Sequence, residues 1–474
     1  MKFMQKEKEV KPFGLRDKIG YLLGDFGNDF TFILSSSFLL KFYTDVMGVD
    51  AFVVGIVMMA ARLLDAVTDI TMGRICDKSR ITPNGKFKPW ILRMCGPVAV
   101  SSFLIYQSAF ANEALWFKIL WLAITYILWG SVFYTSINIP FGSMASTISR
   151  DPRDRQSLST YRTMGATLAG VVIGAGVPLM VYEKSTVGGM TVSVLNGTKF
   201  TIVAGVLSLL AVGAYLLCYY LTTERVKPIT NTEKVRRRGL RDMLMHAFKN
   251  RALISIIVAS IVMLLAQLSM QQMANYVYPN YYGNAEAMSA STLLMMLGML
   301  IAAGVAKPLS TKFGKAEISA VSNVLAGGVC LLLFIVRPSS VWSYVAFNFI
   351  SWIGLGVFSM VSWALITDVI DYSELKNGVR EDGSIYAMYS FARKLGQAAS
   401  SGLIGILLSI IGYNDKTQFD PLVTEGIFNI STILPAIGFI LLSIILWFWY
   451  PLHKKEVDEN VEHLKALHKV DNAN

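Results

Sequence analysis

Long apolar stretches, separated by short polar segments, run from about residue 20 to residue 450. Each stretch is about 20 residues or more, the length that an α-helix needs to cross the hydrocarbon core of a bilayer. The pattern therefore predicts an all-α integral membrane protein with twelve spanning helices. The predicted spans are 20–44, 51–76, 89–111, 116–147, 156–182, 200–222, 251–281, 287–308, 316–336, 341–370, 384–412 and 424–450.

The polar segments fall into two classes that alternate along the chain. One class is rich in Lys and Arg, and it includes the N-terminus, residues 78–88 and residues 225–251. The other class has few of either residue, and it includes TDVMGVD, YYGNAEAMS and GYNDKTQFDPL. Because basic loops tend to stay in the cytoplasm, the alternation predicts that both termini are cytoplasmic.

The longest basic segment divides the chain near its middle into two halves. The halves show weak similarity, since Gly85-Lys86 follows the second span and Gly314-Lys315 follows the eighth. Two parallel repeats of six helices predict the major facilitator fold, in which substrate binds near the membrane midplane between the halves. The predicted divisions are an N-terminal half (1–222), a cytoplasmic linker (223–250), a C-terminal half (251–450) and a cytoplasmic tail (451–474).

The composition agrees with a membrane protein and excludes several other classes. Hydrophobic residues make up 54% of the chain and charged residues 16%, which excludes a disordered or collagen-like protein. The net charge is +11, and the basic residues that produce it cluster between the apolar runs. This placement favours a role in membrane topology over nucleic-acid binding. The cysteines and histidines form no metal-ligand pattern, and the sequence offers no nucleophile–base set. We expect a protein that is not an enzyme, has no cofactor or obligate protein partner, and contacts the lipid bilayer and a small molecule.

The second span carries two carboxylates within its apolar run, in ARLLDAVTDITMG. Asp65 and Asp69 are four residues apart and share a helix face, where two unshielded carboxylates would repel each other. A bound cation would remove that repulsion, and Thr135 on the fourth span could add a hydroxyl ligand. The alternative is that Arg62 pairs with Asp65 and that Asp69 lies near the cytoplasmic interface.

Polar residues on the first and fourth spans predict a sugar-binding site. Asp29 lies well inside the first apolar run, and a carboxylate can accept hydrogens from two sugar hydroxyls. Asn138 supplies a donor and an acceptor, and the indole of Trp129 offers a flat face to a pyranose ring. The alternatives are an interfacial cap for Asp25, and packing or an interface position for the aromatic residues.

Cationic residues and a set of opposed charges complete the candidates. Arg393 and Lys394 lie inside the eleventh apolar run, where Lys394 is the favoured cavity residue and Arg393 either faces the cavity or reaches the cytoplasmic edge. Opposed charges after the tenth and fourth spans predict either a cytoplasmic gate or a static surface network. These gating candidates are Asp368, Asp371, Arg380 and Arg155.

Four segments resemble the glycoside–pentoside–hexuronide:cation symporter family of major facilitators. They are ARLLDAVTDITMG, GKFKPW, INIPFGS and TDVIDYSELKNGVREDGSIYAMYSFARK. The resemblance runs over nearly the whole chain, and it is closer to the glucuronide and pentoside permeases than to the melibiose carrier. It implies twelve helices in the bacterial cytoplasmic (inner) membrane and sugar uptake driven by Na⁺ or H⁺, or in some members by Li⁺.

The resemblance also implies roles for individual residues. Asp65 and Asp69 match the cation-binding carboxylates of the family, and Thr135 matches a hydroxyl ligand. Asp29 matches a sugar-binding aspartate of the first helix, and Lys394 matches a lysine near the sugar site.

Three positions depart from the melibiose type. Asn138 replaces an aspartate, and Gly142 replaces a sugar-stacking tryptophan. Thr163 aligns with an arginine, and Arg162, a candidate sugar ligand, lies one residue earlier. The loss of one carboxylate while Lys394 is kept makes the cavity more positive, which favours a uronate.

We therefore expect a symporter that imports a glycoside, pentoside or hexuronide with Na⁺ or H⁺ by alternating access, with a glucuronide or xyloside favoured. The alternatives are an uncoupled sugar facilitator and an exporter of another solute on the same fold. A membrane enzyme or a sugar sensor is disfavoured, because catalytic groups are lacking and the tail after Pro451 is short and charged.

Overall fold

The computed structural model of the protein describes residues 12–187, 189–226, 250–377 and 382–471. Twelve long helices make up most of these residues. They are α1 (Leu15–Asp45), α2 (Ala51–Lys78), α3 (Lys88–Ile105), α4 (Leu115–Ile148), α5 (Pro152–Val181), α6 (Gly197–Leu221), α7 (Arg251–Tyr281), α8 (Glu286–Phe313), α9 (Lys315–Val336), α10 (Val341–Asn377), α11 (Asp382–Ile410) and α12 (Pro421–Trp449).

Each predicted span coincides with one of these helices. Ten helices among the described residues are long and apolar enough to cross a membrane; α1 and α11 are not in that set. Both carry charged residues within their apolar runs, Asp25 and Asp29 in α1 and Arg393 and Lys394 in α11, and these lower the hydropathy of each helix. Two of the candidate site residues, Asp29 and Lys394, thus lie on helices that are less apolar than the other ten.

Two strands, a last helix and a π-helical stretch within α4 were not predicted. Strands β1 (Tyr182–Val187) and β2 (Met190–Leu195) pair antiparallel in the segment between α5 and α6. A last helix, α13 (Lys454–Asp471), follows α12 in the predicted tail. Within α4, residues Leu128–Tyr134 form a π-helical stretch, a wider turn that often marks a functional site.

Large apolar side chains on the outer faces of the helices are exposed. Leu209 on α6 is 74% exposed, Leu300 on α8 is 70% exposed and Ile335 on α9 is 73% exposed. Exposed apolar surface of this kind on helices of spanning length is suited to contact with lipid tails, since water would disfavour it.

The helices divide into two compact units by their internal contacts. The first unit comprises Met1–Phe42, Leu64–Val181 and Asn196–Glu233, and the second comprises Tyr43–Leu63, Tyr182–Leu195 and Lys234–Asn474. Two segments from the sequence-defined N-terminal half, 43–63 and 182–195, therefore belong to the second unit.

In the first unit, the GKFKPW motif forms the start of α3. The Glu224 carboxylate accepts hydrogen bonds from the backbone N–H groups of Lys86, Phe87 and Lys88 at 2.8–2.9 Å. These N–H groups begin a helix and have no partner within it, so the carboxylate satisfies them and complements the helix dipole. The motif is thus a helix cap that fastens α3 to the segment after α6.

Candidate functional site

Two carboxylates on α2 face two hydroxyl groups on α4 in the first unit. The Ser131 hydroxyl donates to Asp65 Oδ1 at 2.5 Å, and the Thr135 hydroxyl donates to Asp69 Oδ1 at 2.8 Å. Both pairs are spaced by one helical turn, because Asp65 and Asp69 are four residues apart and so are Ser131 and Thr135. The structure thus brings together the three predicted cation ligands, and it adds Ser131.

The π-helical stretch of α4 explains how these groups meet. Gly130, in the middle of that stretch, lies so close to α2 that a Cβ there would be 3.3 Å from Asp65 Oδ1. The carbonyl oxygen of Gly130 also lies 3.2 Å from the Thr135 hydroxyl. Carboxylate, hydroxyl and carbonyl oxygens are the ligands that hard cations prefer, so the cluster has the chemistry of an Na⁺ site. We name Asp65, Asp69, Ser131 and Thr135 the oxygen cluster.

A buried ion pair joins α1 to α5. Arg162 Nε donates to Asp25 Oδ1 at 2.8 Å, and the Asp25 side chain is 6% exposed while that of Arg162 is 40% exposed. The guanidinium also lies 5.5 Å from the Phe141 ring centroid, and a Cβ on Gly142 would be 3.7 Å from its Nη1 atom. Asp25 is therefore the partner of Arg162. The alternative given for Asp25 in the sequence, an interfacial helix cap, differs from this arrangement.

The absence of a side chain at Gly142 leaves room beside the arginine. The melibiose type is expected to have a tryptophan at this position, and an indole would occupy the space next to Arg162. The exposed part of the guanidinium can instead offer N–H donors to a ligand, and its planar fork matches a carboxylate.

Asn28 on α1 joins α4 and α6 through three hydrogen bonds. Its Nδ2 atom donates to the Tyr134 hydroxyl at 2.9 Å and to Asn138 Oδ1 at 3.0 Å, and its Oδ1 atom accepts from the Tyr215 hydroxyl at 3.0 Å. Asn28 is only 2% exposed, whereas Asn138 is partly exposed. This role of Asn28 was not predicted, because nothing in the sequence shows that its three partners converge.

Asp29 follows Asn28 on α1 and lies near the ion pair of Asp25 and Arg162. Its carboxylate interacts electrostatically with Asp25 and Arg162 but makes no direct hydrogen bond or ion pair within the part of the chain that the structure describes. A partly exposed carboxylate of this kind is suited to accept hydrogens from sugar hydroxyls.

Trp129 is enclosed by its neighbours in this conformation. The indole is 0% exposed, stacks on Tyr126 with ring centroids 5.6 Å apart, and lies 5.4 Å from the Tyr134 ring. A ring in this position supports Tyr134 rather than presenting a face to solvent.

The two cationic residues of α11 lie in the second unit. Arg393 lies over the rings of Trp363 and Tyr389, at 5.7 and 6.0 Å from their centroids, so aromatic faces stabilise its charge. Lys394 is partly exposed on the same helix.

The gating candidates make contacts within their own units. Asp368, 8% exposed, pairs with Lys315 Nζ at 2.5 Å, and Asp371 lies one turn further along α10. Arg155 Nε donates to the Ser149 carbonyl at 2.9 Å. Arg380 lies outside the described residues. In the sequence, Lys315 indicated only that the two halves are similar. In the structure, Lys315 is the partner of Asp368.

Segments poor in Lys and Arg come together in the second unit. Tyr413 donates its hydroxyl hydrogen to Asp45 at 2.7 Å, and the edge of its ring meets Tyr276. In the hairpin, the Ser193 hydroxyl donates to the Gly283 carbonyl at 2.9 Å and accepts from the Ala285 N–H at 3.2 Å. These loops are the ones predicted to be extracellular, so the second unit joins them into one layer, which we name the outer layer.

A close helix crossing lies beneath the outer layer. A Cβ on Gly405 of α11 would be 2.5 Å from the Ala51 carbonyl and 2.8 Å from Gly55 Cα of α2. Only glycine permits so close an approach of two backbones, as in many membrane helix pairs.

Among the described residues, no group of three or more His, Cys, Asp and Glu side chains could hold a metal ion. The four cysteines are buried and free. The site therefore consists of oxygen ligands, amides and one arginine.

The chain is similar to known transporters over nearly its whole length. The family described as "MFS/sugar transport protein" matches residues 20–454. The "Glucuronide carrier protein homolog" of Escherichia coli (strain K12) is 30% identical over 461 residues, which cover 96% of this chain and 96% of that protein. The "Inner membrane symporter YicJ" of the same strain is 30% identical over 452 residues, which cover 95% of each chain.

A solved structure shows the same fold. A D-xylose-proton symporter aligns with a TM-score of 0.63 at 12% identity, and the match covers 92% of this chain and 97% of that one. At this identity the likeness concerns the fold alone.

Proposed function

Because the chain belongs to the MFS/sugar transport protein family of multi-pass membrane transporters, we propose that it is a cation symporter for an anionic glycoside. The substrate is a glycoside, pentoside or hexuronide, and a glucuronide suits the site best. The coupling cation is Na⁺ or H⁺, and transport proceeds by alternating access in a bacterial inner membrane with both termini in the cytoplasm.

The observation that carries the proposal is the oxygen cluster on α2 and α4. Thr135 of the cluster and Asn138 of the polar network lie three residues apart on α4, so they share one helix. A cation that binds at the oxygen cluster would fix the position of α4 and thereby the position of Asn138. Linkage of this kind is the physical basis of coupling, since each ligand then favours the conformation that binds the other.

The charge of the site supports an anionic substrate. Asp25 engages Arg162 through Nε only, and the side chain of Arg162 remains 40% exposed beside Gly142. A uronate carboxylate placed there would gain charge-assisted hydrogen bonds that a hydroxymethyl group cannot make. The name of the relative in Escherichia coli agrees with this preference.

The test is accumulation of labelled phenyl β-D-glucuronide and a labelled β-xyloside in cells that express the chain. Uptake is measured with Na⁺, with K⁺ in its place, and with an uncoupler present. Accumulation of the glucuronide above the external concentration is the expected result. Dependence on Na⁺ would assign the oxygen cluster to Na⁺, and abolition by the uncoupler alone would assign it to H⁺.

The matched variants are Asp69→Asn and Asp415→Asn. Asp69 lies in the oxygen cluster, whereas Asp415 lies in the loop after α11 in the second unit. We expect Asp69→Asn alone to abolish accumulation. Uptake that only equilibrates in the wild-type protein, with no change in Asp69→Asn, would identify an uncoupled facilitator and contradict the proposal.

A further inference from the structure

Three of the four hydrogen-bonding positions of the Asn28 side chain are occupied. Its Nδ2 group donates to Tyr134 and Asn138, and its Oδ1 atom accepts from Tyr215, all at 2.9–3.0 Å. At 2% exposure it is too deeply buried to contact a ligand itself. Its influence must therefore pass through its partners.

Two of those partners are exposed enough to contact a ligand. Tyr134 and Asn138 are partly exposed and lie one turn apart on α4, whereas Tyr215 is 1% exposed. Tyr134 also interacts electrostatically with Arg162, which places its hydroxyl near the guanidinium.

The hydrogen bonds to Asn28 determine which atoms remain available. Asn138 accepts from Asn28 through Oδ1, so its Nδ2 donor is left for a ligand. The Tyr134 oxygen also accepts a hydrogen bond from Asn28, which fixes the position of its hydroxyl group. The Asn138 amide and the N–H groups of Arg162 therefore both offer hydrogen-bond donors to the substrate.

We propose that Asn28 is a positioning residue that fixes the Asn138 amide as a hydrogen-bond donor and thereby favours an anionic sugar over its neutral counterpart. This inference rests on the proposed function and deepens it. A carboxylate has only acceptors when ionised, so a site that offers donors discriminates in its favour.

The first test variant is Asn28→Asp. A carboxylate at position 28 can only accept, so Asn138 must turn its Nδ2 group towards it and present Oδ1 to the substrate instead. The readout is the ratio of kcat/KM for phenyl β-D-glucuronide to that for phenyl β-D-glucoside, two compounds that differ only at C6. We expect the ratio to fall about tenfold, the effect of losing one hydrogen bond to a charged group.

A second comparison separates this mechanism from the added negative charge. In the Asn138→Ala background there is no amide to turn, so Asn28→Asp should change the ratio much less than it does in the wild-type protein. An effect of charge alone would persist in that background, and a full tenfold fall there would overturn the proposal.

Tyr215→Phe provides a milder variant that adds no charge. It removes the donor to Asn28 Oδ1, which frees the Asn28 amide to turn its oxygen towards α4, so the ratio should fall about threefold. The matched control is Asn348→Asp in the second unit, where a buried asparagine donates to the Tyr278 hydroxyl at 3.4 Å. We expect this control to leave the ratio unchanged.

The outcomes distinguish this inference from the proposed function. Wild-type accumulation of the glucuronide, with equal losses for both compounds in Asn28→Asp and Tyr215→Phe, would overturn the role of Asn28 alone. A wild-type protein that accumulates neither compound would overturn the proposed function and this inference with it.

Discussion

Tyr413 donates a hydrogen bond of 2.7 Å to Asp45, and this pair joins the loop after α11 to the end of α1 in the outer layer. The tyrosine is 1% exposed, and burial followed by the nearby charge of Asp45 raises the pKa of Tyr413 well above its usual value. A raised pKa means that the hydroxyl keeps its hydrogen through neutral and mildly alkaline pH. The pair is therefore maintained at every pH at which the protein is expected to work.

We predict that Tyr413→Phe loosens the outer layer. The reporter is Ala51→Cys, because Ala51 is 0% exposed and lies against Gly405 in the crossing beneath that layer. Loss of a hydrogen bond to a carboxylate should raise the rate of labelling by a membrane-impermeant maleimide about tenfold. Because of the raised pKa of Tyr413, the ratio of the Tyr413→Phe rate to the parent rate should stay the same between pH 7 and pH 9, although both rates rise with the thiolate fraction of the reporter.

The control for that prediction is Tyr220→Phe, which makes the same change on a residue that is 64% exposed. Its labelling rate should equal that of the parent. Equal rates for Tyr413→Phe and the parent would show that the pair does not hold the outer layer closed.

The hydroxyl groups of the oxygen cluster should tune cation affinity without being indispensable. We predict that Ser131→Ala and Thr135→Ala each raise the cation concentration for half-maximal uptake about five- to tenfold, because each removes one oxygen from the cluster. Thr125→Ala on the same helix is the control, since that hydroxyl donates to the Trp121 carbonyl within α4. A similar shift in all three variants would point to a general weakening of α4 rather than to cation binding.

Asn138→Asp should weaken uptake of an anionic glycoside more than uptake of a neutral one. The carboxylate would lack the amide donor and would add a negative charge near the substrate. Uptake of phenyl β-D-glucuronide and phenyl β-D-glucoside, measured side by side, checks this prediction. Equal losses for the two compounds would contradict it.

The helical framework was predictable because a bilayer leaves the chain few choices. Every backbone polar group must be satisfied inside a span, so about 20 apolar residues specify a helix and the basic loops specify its direction. The oxygen cluster was predicted in part, since Asp65 and Asp69 share a face whatever helix they meet. Thr135 was proposed as a hydroxyl ligand on the fourth span, and the family resemblance implies the same role.

Tertiary partners were not predictable from the sequence in the same way. Ser131 donates to Asp65 from within a π-helical stretch of α4, and the sequence does not show where such a stretch lies. Asn28 and Asp45 each meet residues more than a hundred positions away, so only the packed helices reveal their roles. Ser131 did carry one signal, because its spacing from Thr135 matches the spacing of the two aspartates.

The pair between Lys315 and Asp368 should stabilise the second unit. Asp368 is 8% exposed, so Lys315→Ala would leave a buried carboxylate without its partner. Because the lysine is itself 31% exposed, we expect the loss to be about 1–3 kcal/mol, between the values for surface and buried pairs. Thermal unfolding in detergent measures it, and Lys312→Ala on an exposed turn is the control.

A static pair and a gate give different results in the same variant. If the pair also closes the cytoplasmic side in one state, Lys315→Ala will change the maximal rate of uptake as well as stability. The exchanged variant Lys315→Asp with Asp368→Lys should then recover both. If Lys315→Ala lowers stability but leaves the maximal rate of uptake unchanged, and the exchanged variant recovers stability, the pair has a structural role alone.

The crossing of α2 and α11 should tolerate no side chain at position 405. A Cβ there would approach the Ala51 carbonyl at 2.5 Å, which forces the two helices apart. We predict that Gly405→Ala lowers uptake at least severalfold, while Gly304→Ala, at a helical glycine with no atom within 4 Å, keeps it. Since alanine also favours helix more than glycine does, Gly304→Ala should raise thermal stability slightly. Lower uptake in Gly304→Ala than in Gly405→Ala would show that the crossing is not under steric control.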